Sequence, residues 1–181
     1  RRNQFIVGSA FEYSKVKFYQ SEQEIATLDP DGTFSGEREE VEQNTGFTGK
    51  TYTSSIFATN NHAINDQWSI NNSLRYNYVD IRNTDTLNGD DGAVSLSGDH
   101  DFDRLNPSVG LTFSPYDNLT TYGSYNEANR APTSIELGCA NPENPCTLPT
   151  QMADDPPLEQ VVAKTFEAGA RGRFASFFNS N

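Results

Sequence analysis

Basic residues are scarce in this chain. Thirteen Lys and Arg stand against 25 Asp and Glu among 181 residues, a formal net charge of −12. That deficit argues against a nucleic-acid partner, whose phosphates need Lys and Arg. It also argues against docking on an anionic membrane surface through a basic face. Long apolar runs are missing too: nothing approaches the ~18 residues of a membrane-spanning helix. Arg1-Arg2 passes at once into strand-like sequence, with no signal peptide. There are only two histidines, no Gly-rich phosphate loop, no spaced metal ligands and no nucleophile–base–orienter set. An enzyme is therefore not expected, nor a metal centre or cofactor. A glycosidase needs only two carboxylates, but no pair here is marked out by spacing.

Cysteine is equally sparse. Cys139 and Cys146 are the two in the chain, separated by Ala140-Asn141-Pro142-Glu143-Asn144-Pro145. Two prolines and two asparagines favour a compact turn that brings the thiols together. A local disulfide is the expectation, and it implies an oxidising compartment; two unpaired thiols are the alternative. The hydrophobic fraction is 34%, low for a soluble globule. It suits a barrel in which only alternate strand residues face lipid.

What the chain does have is alternation. In Trp68–Arg82 one row reads Trp68, Ile70, Asn72, Leu74, Tyr76, Tyr78 and the other Ser69, Asn71, Ser73, Arg75, Asn77. Side chains on a strand point to opposite faces in turn, so this is one apolar and one polar face. Ser108–Ser114 repeats it, with Val109, Leu111 and Phe113 against Ser108, Gly110, Thr112 and Ser114. Gln4–Tyr13 sets Phe5, Val7, Phe11 and Tyr13 on one row. Lys164–Phe174 sets Phe166, Ala168, Ala170 and Phe174 against Thr165, Glu167, Gly169, Arg171 and Arg173. Leu119–Tyr125 is a weaker strand. Thr51–Ile64 is ambiguous, because Tyr52, Ile56 and Ala58 share a row while Phe57 lies opposite; its Thr, Tyr and Ile content marks it as strand.

The connections alternate as well. Gln20–Lys50, Asn83–His100 and roughly Ala128–Gln160 are long. Asn65–Gln67 and Ser114–Asn118 are short and carry the Asn, Asp, Pro and Ser of tight reversals. Tight turns at one end and extended loops at the other are the layout of a transmembrane β-barrel. Trp68, Phe113 and Tyr116 lie beside the short turns, and Tyr13, Tyr19 and Tyr78 near the long loops, as two interfacial girdles require. The fold expected is all-β: antiparallel up-and-down hairpins, about six strands forming a partial segment of a large transmembrane β-barrel. The chain starts inside a strand pattern and stops at Phe177-Phe178-Asn179-Ser180-Asn181, where another strand is about to begin, so it is taken as a piece of a longer protein.

Asn106-Pro107-Ser108-Val109-Gly110-Leu111-Thr112-Phe113-Ser114-Pro115 and the following Asn118–Thr133, ending Asn129-Arg130-Ala131-Pro132-Thr133, resemble the barrel of TonB-dependent outer-membrane receptors. There a strand of the form N-P-x-x-G-L-x-x-x-P leads into one ending F-R-A-P-[ST]. Asn129 here replaces the usual aromatic. The resemblance is specific over Leu105–Gly172. It implies that 1–181 is a fragment of the receptor β-barrel domain, with long extracellular loops near 20–50, 83–100 and 128–160. It further implies a bacterial outer-membrane location and active uptake of a nutrient such as an iron–siderophore complex, haem or cobalamin. The implied partners are a nutrient ligand such as a metal chelate and outer-membrane lipid. TonB would act only through a plug that these residues do not include. No nucleic acid is expected, and the isolated fragment, with two bare edges, is expected to self-associate.

Asn129 and Arg130 are the candidate ligand-binding residues, with structural pairing the favoured role for Arg130. Asp99-His100-Asp101 with Asp103 is weighed as a cation site against a solvated acidic loop, the favoured reading. Asp29-Pro30-Asp31-Gly32 and Asn88-Gly89-Asp90-Asp91-Gly92 faintly resemble calcium loops but lack the Glu at the twelfth position. The alternative overall reading is a soluble secreted β-sandwich used in binding or adhesion, which would bury part of both rows and place long loops at both ends. A passive porin-like barrel is a third.

Overall fold

Strands with one apolar row pair side by side until every apolar row shares a face. The computed structural model describes residues 3–23, 27–28, 30–32, 34–35, 40–89, 95–140 and 158–173. It contains β1 (Asn3–Glu22), β2 (Thr27–Leu28), β3 (Phe34–Ser35), β4 (Glu42–Ala63), β5 (Trp68–Asp85), β6 (Gly98–Tyr116), β7 (Leu119–Arg130), α1 (Ser134–Cys139) and β8 (Val161–Gly172). Six strands form one open sheet in the order β1-β4-β5-β6-β7-β8, every neighbour antiparallel. β2 and β3 make a separate two-stranded hairpin inside the first long connection. The short turns lie together at one end and the long connections at the other. A single open sheet with this layout removes the β-sandwich reading.

Register fixes the faces. Leu74 pairs with Ala58 and Pro107, Tyr76 with Ile56 and Leu105, and Asn72 with Asn60 and Val109. Carried across the sheet, one face holds Phe5, Val7, Phe11, Tyr13, Ile56, Leu74, Tyr76, Tyr78, Leu105, Val109, Leu111 and Phe166, all exposed. This is the outer face. The polar row Ser69, Asn71, Ser73, Arg75, Asn77 lies on the other, inner face. The ambiguous strand resolves the same way. Tyr52, Ile56 and Ala58 point outward, and Phe57 points inward over its cross-strand partner Gly8, where a Cβ would lie 2.4 Å from the ring. Arg75 sits 5.9 Å from the Phe57 ring centroid. Gly169 accommodates Tyr122 in the same manner. Glycine opposite an aromatic lets the ring cover the backbone of its neighbour.

The strands run further than their sequence boundaries suggested. β1 reaches Glu22, β4 begins at Glu42, β5 ends at Asp85 and β6 begins at Gly98. Along these extensions the polarity inverts. On β5 the outer row changes from Leu74, Tyr76, Tyr78 to Asp80, Arg82, Thr84. The inner row changes from Arg75 and Asn77 to the buried Val79 and Ile81. The small hydrophobic core, Phe47, Leu96 and Cys139 with Phe18 and Ile135 packed against it, therefore sits in this upper half, on the inner face under α1.

The outer-row transition occurs on all six strands. Two positions nearer the long connections, an aromatic or leucine gives way to a charge: Tyr13 to Lys15, Tyr52 to Lys50, Tyr78 to Asp80, Leu105 to Asp103, Tyr125 to Glu127, Phe166 to Lys164. Followed through the ladders, the boundary slips by about eight residues from β1 to β8. That is about 5 Å of climb for each ~4.8 Å of lateral spacing. A horizontal boundary therefore requires strands inclined at roughly 45°, the tilt of membrane barrels.

Candidate functional site

Above this boundary the segment that follows β7 turns inward, and α1 lies on the inner face. Thr133 caps α1. Its hydroxyl accepts from the Glu136 N–H at 3.2 Å, and its own N–H donates to Glu136 Oε2 at 2.7 Å, a reciprocal capping box. Arg130, the last residue of β7, donates to both Glu136 oxygens at 3.0 Å. One carboxylate thus ties the end of a strand to the start of a helix. The Arg130 guanidinium, opposed by partial burial and aided by the Thr133 backbone, holds the Glu136 carboxyl at about 2.

Two glycines let α1 approach closely. A Cβ on Gly138 would stand 2.9 Å from the Phe47 ring, and one on Gly49 would stand 2.5 Å from Ser134. Asn83 Nδ2 donates to the Ser134 carbonyl at 2.9 Å, and the Ser134 and Thr51 hydroxyls lie 3.3 Å apart. Beside the helix is a cleft of about 410 Å³ bordered by Ser14, Val16, Thr51, Thr53 and Val79 from the sheet and by the Pro132–Ile135 segment. Its small hydroxyl and aliphatic walls suit a binding surface and offer no acid–base pair.

A second polar seam lies where the β6–β7 ladder ends at Ser108 and Asn126. Beyond that point side chains replace the backbone bonds. Asn129 Oδ1 accepts from Asn77 Nδ2 at 2.8 Å and from Asn106 Nδ2 at 2.7 Å. Asn129 Nδ2 donates to Gln160 Oε1 at 2.9 Å, and Gln160 Nε2 donates to the Asp103 carbonyl at 2.9 Å. Arg104 pairs with Glu127 at 2.8 Å.

The third feature is Asp85, 5% exposed at the end of β5. It accepts from the N–H groups of Leu87 (2.7 Å), Asn88 (2.9 Å) and Leu96 (3.0 Å), and from Asn88 Nδ2 (3.2 Å). Burial pushes its carboxyl up, but the backbone donors of Asn88, Leu96 and Leu87 outweigh it, and its pKa lies below the usual value. Asp85 thereby ties Leu87 and Asn88, at the start of the β5–β6 connection, to Leu96 near its end.

The two candidate ligand residues are thus both engaged within the chain, Arg130 with Glu136 and Asn129 in the asparagine seam. Asp99, Asp101 and Asp103 lie on the outer face and His100 on the inner, because a strand sends alternate residues to opposite sides. Among the described residues no group of His, Cys, Asp or Glu is arranged to hold a metal ion. Cys139 is 1% exposed, and no described cysteine is a free thiol. Cys146 lies outside the described residues, as do Asp29, Asp90–Gly92 and Phe174. The sequence reading missed α1 and Asp85. Thr133-Ser134-Ile135-Glu136 carries the [ST]-x-x-E signal that announces the helix. Asp85 between two threonines at a loop entrance carries only a generic turn signal.

Comparison with known proteins agrees with this geometry. The sequence model of the family described as TonB dependent receptor-like, β-barrel, matches residues 2–181. No curated protein sequence matches the chain. Among solved structures, the chain is similar to the siderophore receptor PiuA from Acinetobacter baumannii, with a TM-score of 0.59 and 18% identity over 96% of this chain and 26% of that one. It is also similar to the ferric citrate transporter FecA in its unliganded form, with a TM-score of 0.61 and 14% identity over 95% of this chain and 22% of that one. At these identities the likeness is one of fold. The chain spans about a quarter of the length of these structures.

Proposed function

This chain belongs to the TonB-dependent receptor β-barrel family, and on that premise we propose that it forms part of the wall of a bacterial outer-membrane receptor that actively imports a nutrient. An iron–siderophore complex, haem or cobalamin is the class of cargo. The observation that carries this reading is the outer row. Six adjacent strands present an apolar band, each closed by an aromatic or leucine and then a charge, along a line inclined as barrel strands are. The inner polar row and the α1 cleft would line the ligand entrance. TonB would act through the plug, outside these residues.

In this reading Asn129 and Arg130 serve the ligand indirectly, by fixing the mouth of the entrance through the seam and through α1. A Cys139–Cys146 disulfide would pin the segment after α1; non-reducing peptide mapping that finds both cysteines alkylatable removes it. Alone, the six-stranded segment would self-associate through β1 and β8, so a monodisperse detergent-free monomer in sedimentation contradicts that part. The functional test is energised uptake by cells carrying or lacking the full receptor. Loss of accumulation of one chelate class, dependent on TonB, is the expected result. Passive, TonB-independent permeation of unrelated solutes would replace this reading with the porin one.

A further inference from the structure

Of the chain's asparagines, only Asn88 is followed by glycine. The pair stands at the start of the β5–β6 connection, and both residues are exposed. Gly89 has φ +71°, and a Cβ built on it would meet nothing within 4 Å, so the space around its backbone is open. Its carbonyl is anchored, accepting from the Ser95 hydroxyl at 2.6 Å. Its N–H donates to no acceptor among the described residues. A backbone nitrogen with no side chain beside it and no acceptor to hold it can reach the side-chain carbonyl carbon of the asparagine before it. That asparagine is itself part of a tie. Asn88 Nδ2 donates to Asp85 Oδ2 at 3.2 Å, and the Asn88 backbone N–H donates to Asp85 Oδ1 at 2.9 Å. Asp85 Oδ2 also accepts from the Leu96 N–H at 3.0 Å. Leu96 is buried with Phe47 and Cys139 beneath α1. The Asn88 amide nitrogen thus donates to the same carboxylate oxygen that holds Leu96.

We propose that Asn88 is a site of spontaneous deamidation and that its product releases the Asp85 tie. The Gly89 nitrogen attacks Asn88 Cγ. A bond from the Gly89 nitrogen to Cγ forms, the Cγ–Nδ2 bond breaks, and ammonia leaves with the proton that Gly89 gives up. Water then opens the cyclic imide at either of its carbonyls and leaves aspartate or isoaspartate in place of Asn88. Either product exchanges a hydrogen-bond donor for a carboxylate beside the Asp85 carboxylate, and like charges so close repel. Isoaspartate also adds a methylene to the main chain, between the N–H that Asp85 Oδ1 holds and the anchored carbonyl of Gly89. The Leu96 N–H loses its ordered acceptor, and the core beneath α1 loosens from that side. The change runs one way, so the upper interior is tight in a new molecule and looser in an old one.

The test uses the full receptor in detergent, aged in neutral and in alkaline buffer, with peptide mapping that separates asparagine, aspartate and isoaspartate at this position. Barrel integrity is checked by heat-modifiable electrophoretic mobility. Conversion at Asn88 is expected to outpace that at every other asparagine, to give both products and to run faster in alkali. Gly89→Ala should suppress it, because a methyl group crowds the attacking nitrogen. Asn88→Asp supplies one product directly. It should speed hydrogen exchange at the Leu96 N–H about tenfold and lower protection at Ile135–Cys139 without ageing. Conversion at Asn88 no faster than at Asn118, an exposed turn residue that precedes leucine, overturns the proposal. So does conversion that appears only after the receptor is denatured, which would show that the folded loop withholds the Gly89 nitrogen. Unchanged exchange at Leu96 in folded Asn88→Asp overturns it as well, since the tie then survives the product.

Discussion

The lower and upper halves of these strands are built from the same alternation with its sign reversed. Below the Tyr13–Phe166 line the outer row is apolar and exposed, and the inner row is polar, as with Arg75 on Ser55 and Asn77. Above it the outer row carries Lys15, Lys50, Asp80 and Asp101, and the inner row buries Val79, Ile81 and Phe47. In the proposed placement the lower half meets lipid outside and water inside, whereas the upper half has water outside and builds its own interior by folding α1 onto the sheet. Period-two patterning alone thus does not say which face is inside; the sense of the pattern at each height does.

The largest expected effect lies in the upper interior. Phe47→Ala should destabilise the α1 layer by about 3–5 kcal/mol, read as lost hydrogen-exchange protection at Ile135–Cys139 in the full receptor, with the lower strands unaffected. Next comes the lower exterior. Val109→Arg should cost about 2–4 kcal/mol of unfolding free energy in lipid, whereas Asp101→Arg, four positions higher on the same row after Leu105, should cost about 0–1 kcal/mol. Equal costs would erase the distinction between the halves. Asp85→Ala strands three backbone N–H groups and should cost about 1–3 kcal/mol, seen as faster exchange in Thr86–Asn88.

Thr133→Ala removes the helix cap and should cost about 1 kcal/mol, measured by exchange at Glu136 and Leu137. The smallest effect is that of pH. Glu136 is held at about 2 against an ordinary 4.5, by Arg130 first. Its contribution is complete above pH 4.5 and is lost as pH falls toward 2. Because the Arg130 side chain is 58% exposed, solvent screens the pair and the change should be slight. Protection of α1 that instead falls between pH 8 and pH 6 would assign the control to another group.

Strand order, faces and turns were legible because the rows of Trp68–Tyr78 and Ser108–Phe113 differ so sharply in polarity. The strand ends were not, because the inversion at Tyr78 breaks the pattern that defines a strand. Lys50, Thr84 and Asp99, all in strands, look like loop when outward polarity is taken to mean the end of the sheet. The Asp99–Asp103 cluster dissolved for a related reason, since a strand separates neighbours that a loop would gather. Asn129 and Arg130 were rightly placed at a strand end, but their partners Asn77, Asn106 and Glu136 depend on where the β6–β7 ladder stops, at Ser108 and Asn126, and on a helix whose capping signal was overlooked.

The central claim is that the aromatic-to-charge boundary is where the membrane ends. Spin labels placed singly along the outer row of β5, at Leu74, Tyr76, Tyr78, Asp80 and Arg82 of the full receptor in bilayers, test it through collision with oxygen and with a polar nickel chelate. The account predicts oxygen dominance through Tyr76, a crossover between Tyr78 and Asp80, and nickel dominance at Arg82. Nickel dominance at Leu74, or no crossover along the row, would contradict it.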